Sequence, residues 1–150
     1  MKKTTRLIIA VLIVFVVLLA AVLSVAFLCC GKAERLEKTA VRKVDTMLSA
    51  LEEKNYEKLQ AGLHPVTGKD AEGAEEGLQA LLTFMEGKKI SSVETGEVTA
   101  RERADREWLV SGTGSITLDD GSVCRLVYTY LSDGSEGFIT FIVQEHGVSY

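Results

Sequence analysis

The feature that most constrains this chain is an apolar run of 24 residues from Leu7 to Cys30 that contains no charge, proline or glycine. Seventeen of these residues are Leu, Ile, Val or Phe, and Ser24 is the only clearly polar one. As an α-helix rising about 1.5 Å per residue, the run would be about 36 Å long, which exceeds a hydrocarbon core about 30 Å thick. The sequence therefore predicts a basic tail at residues 1–6, a transmembrane anchor at residues 7–30 and one folded domain at residues 31–150.

Two alternatives to an uncleaved anchor stay open at this point. A cleaved signal peptide has an apolar stretch of about 7–15 residues followed by small residues at the cleavage site. This run is longer and ends in Phe27-Leu28-Cys29-Cys30. A bacterial lipoprotein signal needs a small residue before the modified cysteine, whereas Leu28 precedes Cys29. We therefore favour the uncleaved anchor and leave lipidation of Cys29 or Cys30 open.

The basic residues on the two sides of the run give opposite indications of orientation. A short basic tail directly before an apolar run is typical of a signal-anchor with a cytoplasmic N-terminus. The basic residues just beyond the run favour the reverse orientation: Lys32, Arg35, Lys38, Arg42 and Lys43. We expect a single-pass protein of the cell membrane that contacts lipid through residues 7–30 and carries its domain on the outer side.

The charge of the predicted domain restricts its partners. Residues 31–150 contain 14 of the 17 Lys and Arg residues and all 21 Asp and Glu residues, so their formal charge is −7. Because nucleic acids bind basic surfaces, this balance argues against a nucleic-acid partner. Cys124 is the one cysteine of the domain, and we expect it to be buried as a small apolar side chain.

Three helices are predicted after the apolar run. The first covers residues 33–51, running on from the anchor or joined to it at Gly31, and its apolar residues recur at helical spacing. Those residues lie on one face: Leu36, Ala40, Val41, Val44, Met47, Leu48 and Leu51. A short second helix covers residues 56–61 with Asn55 as its N-cap and Gly62 at its end. The third covers residues 74–86 and stops at Gly87.

The pattern changes to a period of two after Gly87, which is typical of β-strands. Four strands are expected at residues 89–102, 107–118, 123–131 and 138–145, with a bulge near Gly96 and a hairpin turn at residues 119–122. The predicted fold class is α+β: an N-terminal transmembrane helix, then a long amphipathic helix and two short helices packed on a curved four-stranded antiparallel sheet.

The order of these elements resembles the cystatin-like, nuclear-transport-factor-2-like superfamily. The segment that carries the resemblance is Met-Leu-Ser-Ala-Leu-Glu-Glu-Lys-Asn-Tyr-Glu-Lys-Leu at residues 47–59. It is similar to the opening of small membrane-attached bacterial domains of unknown function in that group. The resemblance implies a long helix lying across the concave face of a curved sheet, often with a pocket between them. Some members are isomerases or dehydratases, and many only bind ligands or dimerise.

Two sets of residues are candidates for binding. The first set is expected to line a small apolar pocket under the long helix: Trp108, Val110, Leu126, Tyr128 and Tyr130. The second set arises because the last two strands are apolar on both faces, so a second protomer, a partner protein or curling of the sheet itself must cover the outer face. It forms the predicted interaction face: Val127, Ile139, Phe141 and Val143.

The sequence shows no catalytic, metal-binding or cofactor motif. Gly112 and Gly114 are not followed by a helix, as a phosphate loop requires, so we expect them to make room for a large side chain or for sheet curvature. His64 and His146 are the only histidines and lie in no cluster with metal-ligand spacing. The leading hypothesis is a non-enzymatic, membrane-tethered interaction module of the bacterial envelope. An isomerase-like or dehydratase-like pocket enzyme and a toxin-immunity protein are the alternatives.

Overall fold

The structure is a computed structural model. It describes the backbone of residues 2–65, 69–132 and 136–150 and, within these, the side chains of all except residues 2–12, 25–30 and 69. The chain divides into two compact units, Met1–Arg35 and Leu36–Tyr150. The first unit is helical throughout its described backbone, and the second contains the sheet.

No helix in the described part of the chain combines the length and the apolarity that crossing a bilayer requires. This finding contradicts the transmembrane anchor predicted at residues 7–30 and the signal-anchor interpretation that depended on it. The apolar side chains of this run that are described cover residues 13–24. The ends of the predicted anchor, from Leu7 to residue 12 and from residue 25 to Cys30, lie outside the described side chains.

Three helices are described: α1 (Lys2–Glu52), α2 (Tyr56–Gly62) and α3 (Lys69–Phe84). Because α1 continues without a break, the predicted helix at residues 33–51 is the last part of a longer one. The N-cap prediction is confirmed, since the Asn55 side-chain oxygen accepts a hydrogen bond of 3.0 Å from the Lys58 backbone N–H. Helix α3 begins five residues earlier than predicted, with acidic residues in its first turn, where the helix dipole favours them.

The sheet has five antiparallel strands in sequence order: β1 (Ile90–Glu102), β2 (Trp108–Leu118), β3 (Val123–Ser132), β4 (Gly137–Glu145) and β5 (Val148–Ser149). The α+β class and the four predicted strands are confirmed, and β1 has the expected irregularity between Thr95 and Val98. The predicted turn at residues 119–122 closes through a hydrogen bond from the Leu118 N–H to the Ser122 carbonyl, 2.9 Å long.

The sequence analysis missed β5, which is joined to β4 by a two-residue turn. His146 and Gly147 both have positive φ, 49° and 86°, the combination that a type I′ hairpin turn needs. Asn-Gly and Asp-Gly are the usual signals for this turn, and His-Gly is a weaker one because histidine enters the left-handed region less readily. The turn brings Tyr150 back beside β4, where it exchanges two backbone hydrogen bonds with Val143.

The core of the second unit forms where the apolar stripe of α1 packs on one face of the sheet. Ala40, Val44 and Leu51 are buried on the helix, and alternate residues of β2 and β3, other than Gly114, are buried on the sheet. The prediction that Gly112 makes room for a large side chain is confirmed, because a Cβ there would overlap the ring and hydroxyl of Tyr128. A Cβ on Gly114 would in turn lie 2.6 Å from the carbonyl oxygen of Glu94 on β1.

A bulge in β4 corrects the predicted division of its side chains between the two faces. The strand pairs Thr140 with Thr129 and then Phe138 with Tyr130, so Ile139 is an extra residue. Phe138 and Phe141 therefore lie on the same face, with their ring centroids 5.5 Å apart. Strict alternation along the strand had placed these two rings on opposite faces.

Gly112→Ala is expected to lower the free energy of unfolding by about 1–3 kcal/mol, because the new methyl group overpacks against Tyr128. Gly73→Ala is the control, since a Cβ at Gly73 meets nothing within 4 Å. Replacing this helical glycine should raise stability by about 0.5–1 kcal/mol. Urea unfolding measures both changes, and an unchanged stability for Gly112→Ala would contradict the packing described.

Candidate functional site: the groove between helix α3 and strand β4

The five residues predicted to line a pocket lie together on the core face of β2 and β3. Their side chains are exposed by no more than 7%: Trp108, Val110, Leu126, Tyr128 and Tyr130. The cavity beside Leu126 and Tyr128 has a volume of only about 10 Å³. That space is about the size of one water molecule, so side chains fill this part of the core face.

A larger cavity, of about 370 Å³, lies between α3 and β4, and we call it the β4 groove. Strand β4 forms one wall with five consecutive residues, Phe138 to Ile142. The α3 wall consists of residues at helical spacing: Ala74, Gly77, Leu78 and Leu81. Leu63 and His64 lie at one end and Tyr150 lines the groove as well. Most of the residues on both walls are apolar, so the groove itself is largely apolar.

The strand wall of the groove is an edge of the sheet. Val143 exchanges hydrogen bonds with Tyr150 on the side away from β3. Because backbone groups alternate in direction along a strand, the N–H and C=O of Phe141 point to the same side as those of Val143. Among the described residues, nothing pairs with Phe141 on that side. The groove therefore has a backbone donor and a backbone acceptor available along its apolar wall.

Segments of this chain already pair with the same edge on both sides of Phe141. The His64 N–H donates to the Phe138 carbonyl at 2.9 Å, and Leu63 forms a parallel bridge with Phe138. Gly137 permits this approach, because a Cβ there would lie 2.5 Å from the His64 nitrogen. On the other side, the Tyr150 N–H donates to Val143 at 2.9 Å. The edge thus accepts extended backbone in this chain itself.

Tyr150 is fixed by aromatic contacts as well as by its backbone bonds. Its ring stacks on Phe84 of α3 with centroids 4.2 Å apart. The Lys88 ammonium lies 3.7 Å from the centroid of the same Phe84 ring, a cation–π contact, and 3.9 Å from a Glu145 carboxylate oxygen. These contacts hold Tyr150 beside Val143 on the β4 edge.

The α3 wall of the groove has small side chains at its centre, Ala74 and Gly77. A Cβ added at Gly77 would meet no atom within 4 Å, so the space above this glycine is open. Ala74, one turn earlier, contributes only a methyl group. Small residues facing a strand edge leave room for another backbone with its side chains. Ile139, the bulge residue of β4, is 49% exposed opposite this wall.

The opposite edge of the sheet is covered by carboxylates of α1. Glu52 Oε1 accepts the Ile90 N–H at 2.9 Å, and Glu37 Oε1 accepts the Ala100 N–H at 3.0 Å. These two contacts lie near the two ends of β1. Acidic side chains on an edge satisfy its donors and discourage pairing with another strand. The two edges therefore differ: carboxylates of α1 cover the edge at β1, whereas the edge at β4 borders the groove.

The residues of the predicted interaction face do not lie together on one face. Val143 is 1% exposed and lies in the core, and Phe141 packs against the core from the same side. Val127 pairs with Ile142 on the outer face. Of the four residues, Ile139 and Phe141 line the β4 groove. The α3 wall and Tyr150 were absent from the prediction, because no sequence pattern shows which helix lies along which edge.

A second cavity, of about 410 Å³, lies between α2 and α3 and adjoins the β4 groove through shared residues. The shared residues are Leu63, His64, Ala74 and Leu78. The polar side chains that line it include Tyr56, Gln60, Glu72 and Glu75. Helix α3 carries four acidic residues, Asp70, Glu72, Glu75 and Glu76, and one basic residue, Lys69. The His64 end of the groove thus opens into an acidic cavity.

The described groups with shifted pKa values lie outside both cavities. Burial raises the pKa of the Cys124 thiol and of the Tyr128 hydroxyl, which has no hydrogen-bond partner among the described residues. A hydrogen bond from the Ser122 hydroxyl lowers the pKa of Asp120 in the turn after β2. Within the described residues there is also no group of three His, Cys, Asp or Glu side chains placed to hold a metal ion. The arrangement of the groove is suited to binding.

Comparisons with models of protein families, with curated proteins and with solved structures gave no match to this chain. The resemblance to the cystatin-like, nuclear-transport-factor-2-like superfamily therefore stays a prediction.

Tyr130 gives the core a measurable response to alkaline pH. Burial, together with the hydrogen bond that its hydroxyl donates to Glu136 at 3.0 Å, raises the pKa of Tyr130 to about 12. In the unfolded chain a tyrosine loses its proton near pH 10. Between these two values the unfolded state binds fewer protons than the folded state, so the free energy of unfolding should fall as pH rises.

Tyr130→Phe removes this contribution, so its stability should decline less steeply than that of the wild type between about pH 10 and pH 12. Urea unfolding at several pH values across this window gives the slopes. Equal slopes for Tyr130→Phe and the wild type would show that the hydroxyl does not titrate as described.

Proposed function

We propose that this chain is a non-enzymatic protein-interaction module whose partner inserts an extended apolar segment into the β4 groove. The observation that carries the proposal is the N–H and C=O of Phe141, which no described residue pairs, on an apolar strand edge that faces the small residues Ala74 and Gly77 of α3. Strand addition to an exposed edge is a recurring mode of peptide recognition, in which the backbone supplies affinity and side-chain pockets supply specificity.

The dimensions of the groove fit an extended segment better than a compact ligand. Five residue steps separate Phe138 from Val143, so the edge between the two pairing sites is about 17 Å long at about 3.3 Å per residue. A cavity of about 370 Å³ along this edge accommodates a few side chains on one side of a strand. Covering the exposed Ile139 side chain would add apolar burial, which favours association by about 25 cal/mol per Å².

Features of the β4 edge also limit which strands of other proteins are able to pair with it. Natural proteins protect exposed edges with bulges, short strands and covering segments, because a long flat edge aggregates. Here Leu63 and His64 cover one end, Tyr150 covers the other and the bulge at Ile139 interrupts the strand. Only a short segment that also fits against α3 is able to pair, which favours a specific partner.

The proposal is tested by titrating the full chain with the neutral peptide acetyl-Ser-Val-Thr-Val-Thr-Val-Ser-amide, followed by calorimetry. A short peptide should bind with a Kd on the order of 0.1–1 mM, since most of its ordering entropy is lost on binding. Gly77→Trp fills the groove and should weaken binding at least about tenfold. Gly73→Trp, on the same helix but outside the groove, should bind like the wild type.

Three results would overturn the proposal. The first is no binding of the peptide by the wild-type chain at millimolar concentration. The second is equal binding by the Gly77→Trp and Gly73→Trp variants, which would place the peptide elsewhere. The third is a wild-type chain that forms dimers in sedimentation velocity and loses them in Gly77→Trp, because a second copy would then be the occupant of the edge.

A further inference from the structure

We infer that the partner strand runs antiparallel to β4 in line with β5, and that it carries an arginine or lysine at the end that passes His64. The inference rests on the proposed function, since it concerns the direction and the charge of the segment that enters the β4 groove. It names the chemistry of the partner: a short apolar strand followed by a basic side chain.

The direction follows from the pairing that the edge makes at its Tyr150 end, since Leu63 at the other end forms only a single parallel bridge. Strand β5 runs antiparallel to β4, and Tyr150 exchanges two hydrogen bonds with Val143. A segment continuing that line reaches Phe141 two residues further on, where the same two-bond exchange is available. Antiparallel pairing is also slightly more stable per residue than parallel pairing. The N-terminal end of the partner segment then lies next to Tyr150.

The C-terminal end of the segment is directed towards the acidic cavity. The Phe138 carbonyl is already occupied by the His64 N–H, so pairing cannot continue past Ile139. The segment must leave the edge at this point. Beside it lies the cavity between α2 and α3, which shares His64 and Ala74 with the groove. The side chain that follows the paired stretch is therefore placed at the mouth of that cavity.

Charge complementarity selects a basic side chain there. Glu72 and Glu75 line the cavity and are spaced three residues apart on α3, so their carboxylates share one side of the helix. Gln60 adds a side-chain amide from α2. Because both carboxylates are exposed, their attraction for a cation is screened, and an increase in affinity of about 5–10-fold is expected for the pair at low salt.

The test uses three peptides of seven residues that differ only at positions 2 and 6. They are acetyl-Ser-Val-Thr-Val-Thr-Arg-Ser-amide, the same peptide with Gln for Arg, and acetyl-Ser-Arg-Thr-Val-Thr-Val-Ser-amide. The full wild-type chain should bind the first peptide about 5–10-fold more tightly than the second, and the third no more tightly than the second. The double variant Glu72→Gln/Glu75→Gln should reduce the preference to less than about twofold.

Glu76→Gln is the matched control, since Glu76 is an exposed acidic residue of the same helix that does not line the cavity. It should keep the full preference for the first peptide. Circular dichroism and urea unfolding establish that all variants are folded, because glutamine retains the size and the helix propensity of glutamate.

Different failures separate this inference from the proposed function. If the Gln peptide binds in the groove but arginine at the C-terminal side gives no gain, the charge assignment is overturned while the groove function stands. If the third peptide gains as much as the first, the direction is overturned. If the preference survives in the double variant, the cation lies elsewhere. If no peptide binds at all, both the function and this inference fail together.

Discussion

The unpaired backbone groups at the two edges of an open sheet are the constraint on which the rest of this structure depends. An antiparallel sheet that does not close must satisfy or protect those groups, because each bare edge is a template for another strand. At β1 the protection comes from Glu37 and Glu52 of α1. At β4 it comes from short segments of backbone at each end. The stretch between them, which no described residue pairs, is where we propose that a partner protein binds.

The packing of the core face of the sheet explains why the groove, and not the space under α1, is the candidate site. Tyr128 occupies the room that Gly112 leaves, Tyr130 and Phe138 pack edge to face, and α1 covers them. An interior filled to normal density leaves no volume for a ligand. At the β4 edge, by contrast, Ala74 and Gly77 keep α3 from closing onto the strand. The proposed binding site therefore lies at the edge of the sheet and not in its interior.

Sequence patterns determined the parts of the fold that depend on local spacing. The apolar stripe of α1, the cap at Asn55, the bulge of β1 and the role of Gly112 were predictable because each has a signal within a few residues. The bulge at Ile139 was not predictable from the sequence. Because β4 has apolar residues on both faces, its sequence pattern does not show where the side chains change face. The transmembrane prediction failed against the described residues, and the groove was missed because it joins elements far apart in the chain.

Amide hydrogen exchange at Phe141, measured by NMR on the full chain, tests the central claim most directly. In the free protein the Phe141 amide should exchange rapidly, while the neighbouring amides of Ile142, paired to β3, and Val143, paired to Tyr150, stay protected. Adding the Arg-containing peptide should slow exchange at Phe141 selectively. A Phe141 amide that is as protected as Ile142 in the free chain, or that does not respond to bound peptide, would contradict the account.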